Sequence, residues 1–148
     1  TLNNYPNPDS LEGAQYSFPF CLAVAALKGK EGFLPMRSEF LRESEMVEFA
    51  RRVEVRVDPE LDELFPEKTP NRVILETRRG VFEARVDIPL GDPGNPLGPS
   101  ELEAKFRKLS EREFSHQGQE EVISAIASLE KSAPRLFSLL ERPLGERP

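Results

Sequence analysis

The sequence predicts an α+β fold, a small antiparallel sheet packed with helices and followed by further helices toward the C-terminus. Three observations carry this prediction. Phe82, Ala84, Val86 and Ile88 alternate with Glu83, Arg85 and Asp87, the period of a half-buried strand. Residues 20–27 are apolar nearly all round a helix, which marks a central, buried element. Leu102, Phe106 and Leu109 recur at i, i+4 and i+7, one apolar stripe on a helix whose other side is charged.

The elements follow in order. Residues 1–13, rich in Asn, Pro, Asp and Gly, are expected to be loop. Ser17 stands where a helix cap belongs, Pro19 fits a first turn and Gly29 fits the position just past the end, which frames a helix over 19–28. Residues 36–52 are expected to be helical with a break near Ser44, turning Met46, Val47, Phe49 and Ala50 inward. Val53, Val55 and Val57 alternate with Glu54, Arg56 and Asp58, which predicts a strand. Residues 59–65 suit a short helical turn, and residues 66–70 a loop.

Residues 73–77 are the natural partner of the strand that starts at Phe82, with Arg79-Gly80 as the turn. That turn sets Thr77 opposite Phe82, Leu75 opposite Ala84, Val73 opposite Val86 and Glu76 opposite Glu83. Beyond Ile88, the run Pro89-Leu90-Gly91-Asp92-Pro93-Gly94-Asn95-Pro96-Leu97-Gly98-Pro99 continues neither strand nor helix. Its glycines suggest a phosphate loop, but its prolines delete amide donors and neither phosphate-loop fingerprint is present, so a rigid corner is expected. Ser100 and Glu103 form an S-x-x-E capping box for the next helix, where Glu101–Lys105 and Glu103–Arg107 are well-oriented i,i+4 pairs. Residues 119–130 place Val122, Ile123, Ile126 and Leu129 on one face, and Pro134 is expected to open a last short helix carrying Leu136, Phe137 and Leu140. Both stripes need a partner surface, and exposed they promote association.

Composition narrows the function classes. A net charge of −6, with both signs interspersed, argues against nucleic acid as a partner. No signal peptide and no long apolar run is present, so a membrane span is not expected. The single cysteine, Cys21, rules out an intrachain disulfide and fits a reducing, cytoplasmic compartment. Its apolar neighbours predict a buried thiol with a raised pKa and no nucleophilic role. His116, the only histidine, lies in a polar stretch and is expected to be a solvated loop residue, with no second His and no Cys available to it for a metal cluster. Acidic pairs such as Asp58/Glu60 and Glu120/Glu121 are expected on solvated faces.

Two ordered blocks carry a family resemblance. Arg85-Val86-Asp87, Gly91-Asp92-Pro93-Gly94-Asn95-Pro96-Leu97 and Glu101-Leu102-Glu103-Ala104-Lys105-Phe106 resemble the "G-D-P-x-N-P-L" corner and "E-L-x-x-K-F" helix of the 2-methylcitrate dehydratase (MmgE/PrpD) family. Ala14-Gln15-Tyr16-Ser17-Phe18-Pro19-Phe20, with Ala23-Val24-Ala25 and Leu27, resembles its "A-Q-F-S-x-P-Y" helix. The resemblance implies lyase or isomerase chemistry on di- or tricarboxylic acids, such as 2-methylcitrate dehydration, cis-aconitate decarboxylation or iminodisuccinate epimerisation, with no metal or organic cofactor. It implies a partial lid domain at 1–98 and, at 99–148, helices that dock on an all-helical domain not present in this chain. The family's acid/base residues, mainly Asp, His and Lys, would precede Thr1, and a tyrosine that contributes in some members would fall near Leu2, so no catalytic residue is expected here. Substrate-facing candidates are Ser17, Tyr16, Tyr5 and Asn4, the first also by its place at a helix entrance. Expected partners are the helical catalytic domain or an upstream polypeptide, the carboxylic-acid substrate of the complete enzyme, and further copies in a homo-oligomer. The alternative is a non-catalytic binding or regulatory module that retains the lid fold.

Overall fold

A computed structural model of the chain describes residues 3–141. Its α+β architecture matches the sequence expectation. By contacts the chain falls into two units, one running to Val53 and resuming at Pro99, the other Glu54–Gly98.

The first unit opens with α1 (Leu11–Gln15), where loop was expected. The loop-forming composition stops at Ser10, whose Oγ accepts the Gly13 N–H at 3.1 Å and starts a helix on the residues that follow. Helix α2 (Phe18–Lys28) has the predicted frame: Ser17 caps it, Pro19 sits in its first turn, and Gly29 ends it at φ +66°. That left-handed conformation is one only glycine takes without cost. Phe20, Ala23 and Val24 are fully buried, whereas Ala25 and Ala26 face out. The helix is therefore two-sided and not buried all round; alanine is small enough to sit on the wet side at little cost.

Two 3₁₀ turns, Lys30–Phe33 and Ser38–Arg42, lead to α3 (Ser44–Ala50). The expected break falls at Glu43, which is extended, and Met46 and Ala50 point inward as anticipated. A Cβ at Gly32 would lie 2.7 Å from Val24 Cγ1 and 2.8 Å from Lys28 Cβ, so glycine lets the first turn lie directly on α2. Phe20, Val24, Met36, Phe40 and Met46 make up most of the core that results.

Helix α5 (Pro99–Ser110) begins one residue before the expected cap. Proline suits the first helical position, so Ser100 lies inside the first turn. Arg107 Nη1 reaches Glu103 Oε2 at 3.1 Å, the predicted i,i+4 pair, and its Nη2 reaches Glu120 Oε1 at 2.9 Å. Helix α6 (His116–Ala127) is capped by Ser115, whose Oγ accepts the Gly118 N–H at 3.2 Å. Its buried face is Gly118, Gln119, Val122 and Ala125, and Ile126 and Leu129 are exposed, contrary to the expected stripe. Gln119 Nε2 donates to the Arg107 carbonyl at 2.7 Å and to Ser110 Oγ at 3.0 Å. A polar side chain is thus buried because it satisfies the end of α5.

Helix α7 (Leu129–Leu140) contains Pro134 in its interior, where the proline was expected to start the helix. The carbonyl that loses its donor is that of Glu130, an exposed residue that water can serve. Leu139 is 3% exposed and joins Phe114, Val122 and Ala125 in a second core, beside which the Phe106 and Phe114 rings meet at 6.4 Å. Phe137 and Leu140 face outward.

In the second unit, residues 54–57 carry no ladder, nor does Val53 before them, so the expected strand does not form among the described residues. Asp58 caps the short helix α4 (Pro59–Asp62). Strands β1 (Asn71–Thr77) and β2 (Gly80–Val86) make the expected antiparallel hairpin in a register shifted by two residues. Thr77 pairs with Gly80, Leu75 with Phe82, Val73 with Ala84, and Glu76 with Val81. The turn is Arg78-Arg79. Thr77 Oγ1 accepts the Arg79 N–H at 3.1 Å and donates to the Gly80 carbonyl at 3.0 Å, while Gly80 supplies φ +134° after the turn. A shift of two preserves the faces, so Val73, Leu75, Phe82 and Val86 still share one side, but that side is exposed and not half-buried.

The corner after β2 closes on itself. Gly91 N–H donates to the Asn95 carbonyl at 2.8 Å, Asn95 N–H to the Asp92 carbonyl at 2.8 Å, and Gly94 N–H to Asp92 Oδ1 at 2.9 Å. These amides serve the loop and do not converge on an outside anion, as a rigid corner requires.

Candidate functional site

The four sequence candidates come together at the entrance of α2. Asn3 N–H donates to the Tyr16 carbonyl at 2.8 Å, and Phe18 N–H donates to the Asn3 carbonyl at 3.1 Å, a parallel bridge that lays residues 3–5 along residues 16–18. Ser17 Oγ donates to the Tyr5 carbonyl at 2.6 Å and accepts the Phe20 N–H at 3.2 Å. Asn3 Oδ1 accepts the Tyr5 N–H at 3.0 Å and rounds off the strap. Asn3 was not singled out from the sequence, although its residue type is the signal, since asparagine readily forms such local turns.

The candidates divide by exposure. Ser17 is 0% exposed and both of its hydrogen bonds are internal, so it acts as cap and clamp. Asn4, Tyr5 and Tyr16 are exposed, and their amide and phenol groups can donate to a carboxylate. The first-turn amides of α2 are used or missing: Phe18 N–H and Phe20 N–H are bonded within the chain, and Pro19 has none. Donors for an anion on this face are therefore side chains.

Other titratable groups are engaged elsewhere. His116 is the first residue of α6 and not a loop residue; its side chain is 83% exposed, with Nε2 3.9 Å from Glu120 Oε1. Cys21 is half-buried, its Sγ 3.4 Å from the Ala14 carbonyl, and burial pushes its thiol up. Arg72 gathers three carboxylates: Glu60 at 2.8 Å, Asp58 at 3.0 Å and Glu83 at 3.7 Å. Its Nε–H is misaligned with Asp58 Oδ2, so that contact is an ion pair and not a hydrogen bond. The cluster offsets the like-charge pairing of Arg72 with Arg85 across the hairpin.

Arg85 Nε donates to Asp87 Oδ1 at 2.6 Å, and this bond holds the Asp87 carboxyl below its usual range, with the charges of Arg85 and Lys68 adding and desolvation opposing. Because the folded pKa is depressed, the stabilisation is present at neutral pH and is lost as pH falls through the folded value. Arg85→Gln is expected to move the Asp87 titration midpoint upward, toward an ordinary aspartate, when followed by carboxyl ¹³C NMR. An unchanged midpoint would mean that the bond does not form.

Among the described residues no group of three His, Cys, Asp or Glu side chains is arranged to hold a metal ion, and no helix is long and apolar enough to cross a membrane. The family model of the MmgE/PrpD C-terminal domain matches residues 1–131. No curated protein matches the chain.

Proposed function

The chain belongs to the MmgE/PrpD family through its C-terminal domain, and from that premise we propose that it is the lid and docking portion of a dehydratase- or isomerase-type enzyme. Residues 1–98 are the lid part in this reading, and residues 99–148 are the helices that return to a helical catalytic domain. The reaction is cofactor-independent lyase or isomerase chemistry on a di- or tricarboxylic acid in the cytoplasm. This chain supplies positioning, and its partner supplies the acid and base. Asn4, Tyr5 and Tyr16 form the substrate-facing edge, held in place by the buried Ser17 clamp.

The observation that carries the docking role is the outward apolar surface of α6 and α7. Phe137 is 63% exposed, and Ile126, Leu129 and Leu140 are exposed with it. Apolar surface of this kind marks an interaction site. Phe137→Asp is expected to leave the fold intact, because the side chain lies outside both cores. It should weaken binding to the helical domain by at least about 2 kcal/mol, as loss of an aromatic anchor does. Titration calorimetry with the two polypeptides measures this. Equal affinity of wild type and variant would remove α7 from the docking surface.

A further inference from the structure

The β1–β2 hairpin has almost no apolar support. From Asn71 to Val86 every residue is exposed except Arg72. No residue of Glu54–Gly98 belongs to either apolar core, and Leu61 is the one buried side chain of that unit. A lone two-stranded hairpin is marginal in water, so packing alone does not explain this one. Among the described residues, the hydrogen bonds and ion pairs that tie the hairpin to chain beyond its immediate flanks all belong to Arg72. Its Nη2 donates to Glu60 Oε2 at 2.8 Å, and its Nε lies 3.0 Å from Asp58 Oδ2. Both carboxylates sit at the start of α4, where Asp58 is also the cap. Glu83 of β2 adds a third carboxylate at 3.7 Å.

We infer that the Arg72 cluster is an electrostatic latch, which fastens the hairpin to the first turn of α4 and releases it, with the apolar cores intact, when its charges are screened or removed. Isolated surface ion pairs contribute little. Here one guanidinium serves three carboxylates as a network, and the Arg72 side chain is only 25% exposed. Its Nε is shut off from solvent without a hydrogen bond, so its attraction to Asp58 is charge alone. A contact of that kind weakens with ionic strength, whereas apolar packing is not screened by salt. Arg72 also lies directly opposite Arg85 in the register, a repulsion that the acids outweigh when the latch is closed. The hairpin is thus a locally opening unit whose stability is set by charge and not by packing. The inference is independent of the enzymatic reading.

Amide hydrogen exchange of the full 148-residue chain tests it. Sodium chloride is varied from about 0.01 M to about 1 M, over which the Debye length falls from about 30 Å to about 3 Å. In the wild type, exchange across β1 and β2 is expected to accelerate by about fivefold or more at high salt. The Phe20 N–H, bonded to Ser17 Oγ in the first unit, is expected to keep its rate. Arg72→Gln should show the fast hairpin exchange already at low salt and lose the salt dependence. Arg72→Lys, which keeps the charge but not the planar fork, should fall between the two. The latch is overturned if wild-type hairpin exchange is indifferent to salt. It is equally overturned if Arg72→Gln exchanges no faster than wild type, because relief of the Arg85 repulsion would then outweigh loss of the acids. Acceleration at Phe20 in step with the hairpin would also overturn it, since the chain would then be opening as a whole.

Discussion

Phe20→Ala is expected to destabilise the N-terminal helices by about 3–5 kcal/mol, the cost of deleting a buried phenylalanine ring from a packed core. Phe20 is 0% exposed, lies in the first turn of α2 and packs with Val24, Phe40 and Met46. Domains of this size have only about 5–15 kcal/mol in hand. The variant should therefore shift its urea midpoint far down or lose cooperative unfolding altogether. The same residue ends the clamp, because its N–H is the donor to Ser17 Oγ. Proton exchange at Phe20 should accelerate along with the loss of stability. A loss under about 1 kcal/mol would mean that α2 is not the centre of this core.

Leu139→Ala is expected to cost about 2–5 kcal/mol through the same combination of lost transfer energy and a residual cavity. Leu139 is 3% exposed, against Phe114, Val122 and Ala125. The prediction separates two accounts of α7. A helix opened by Pro134 and dependent on an absent surface would tolerate the change. A helix running Leu129–Leu140 with Leu139 as its inward anchor would not. Urea denaturation of wild type and variant decides between them, and a ΔΔG near zero would contradict the packing described.

What could be read from the sequence follows from local chemistry. Ser17, Pro19 and Gly29 marked both ends of α2 because caps and breakers act within a few residues, and the Asp92–Asn95 loop stayed a corner because its prolines and glycines admit little else. Long-range geometry was less legible. The hairpin was expected from alternation, but its register turned on Thr77 Oγ1 bonding across the turn, and a shift of two residues leaves the apolar pattern unchanged. Of the apolar stripe expected on α6, Val122 is buried, but Ile126 is exposed and Gly118 and Ala125 are buried in its place, a choice that the apolar pattern alone does not encode. Gln119 carries no sign of burial in the sequence, since only the position of the Arg107 carbonyl makes its burial tolerable. At the candidate site, the position of Ser17 as a cap was visible. Its second bond, to the Tyr5 carbonyl twelve residues away in sequence, depends on the strap's path and could not be seen in advance.

In the proposed role, this chain shapes a carboxylic-acid site without performing the reaction. The most direct measurement is an assay of citrate-type dehydration by the purified chain, by a helical MmgE/PrpD domain, and by the two mixed in rising ratio. The expected result is no turnover by the chain alone and activity in the mixture that saturates as the complex forms. Turnover by the chain alone, or a mixture no more active than its parts with no complex detected, would contradict it.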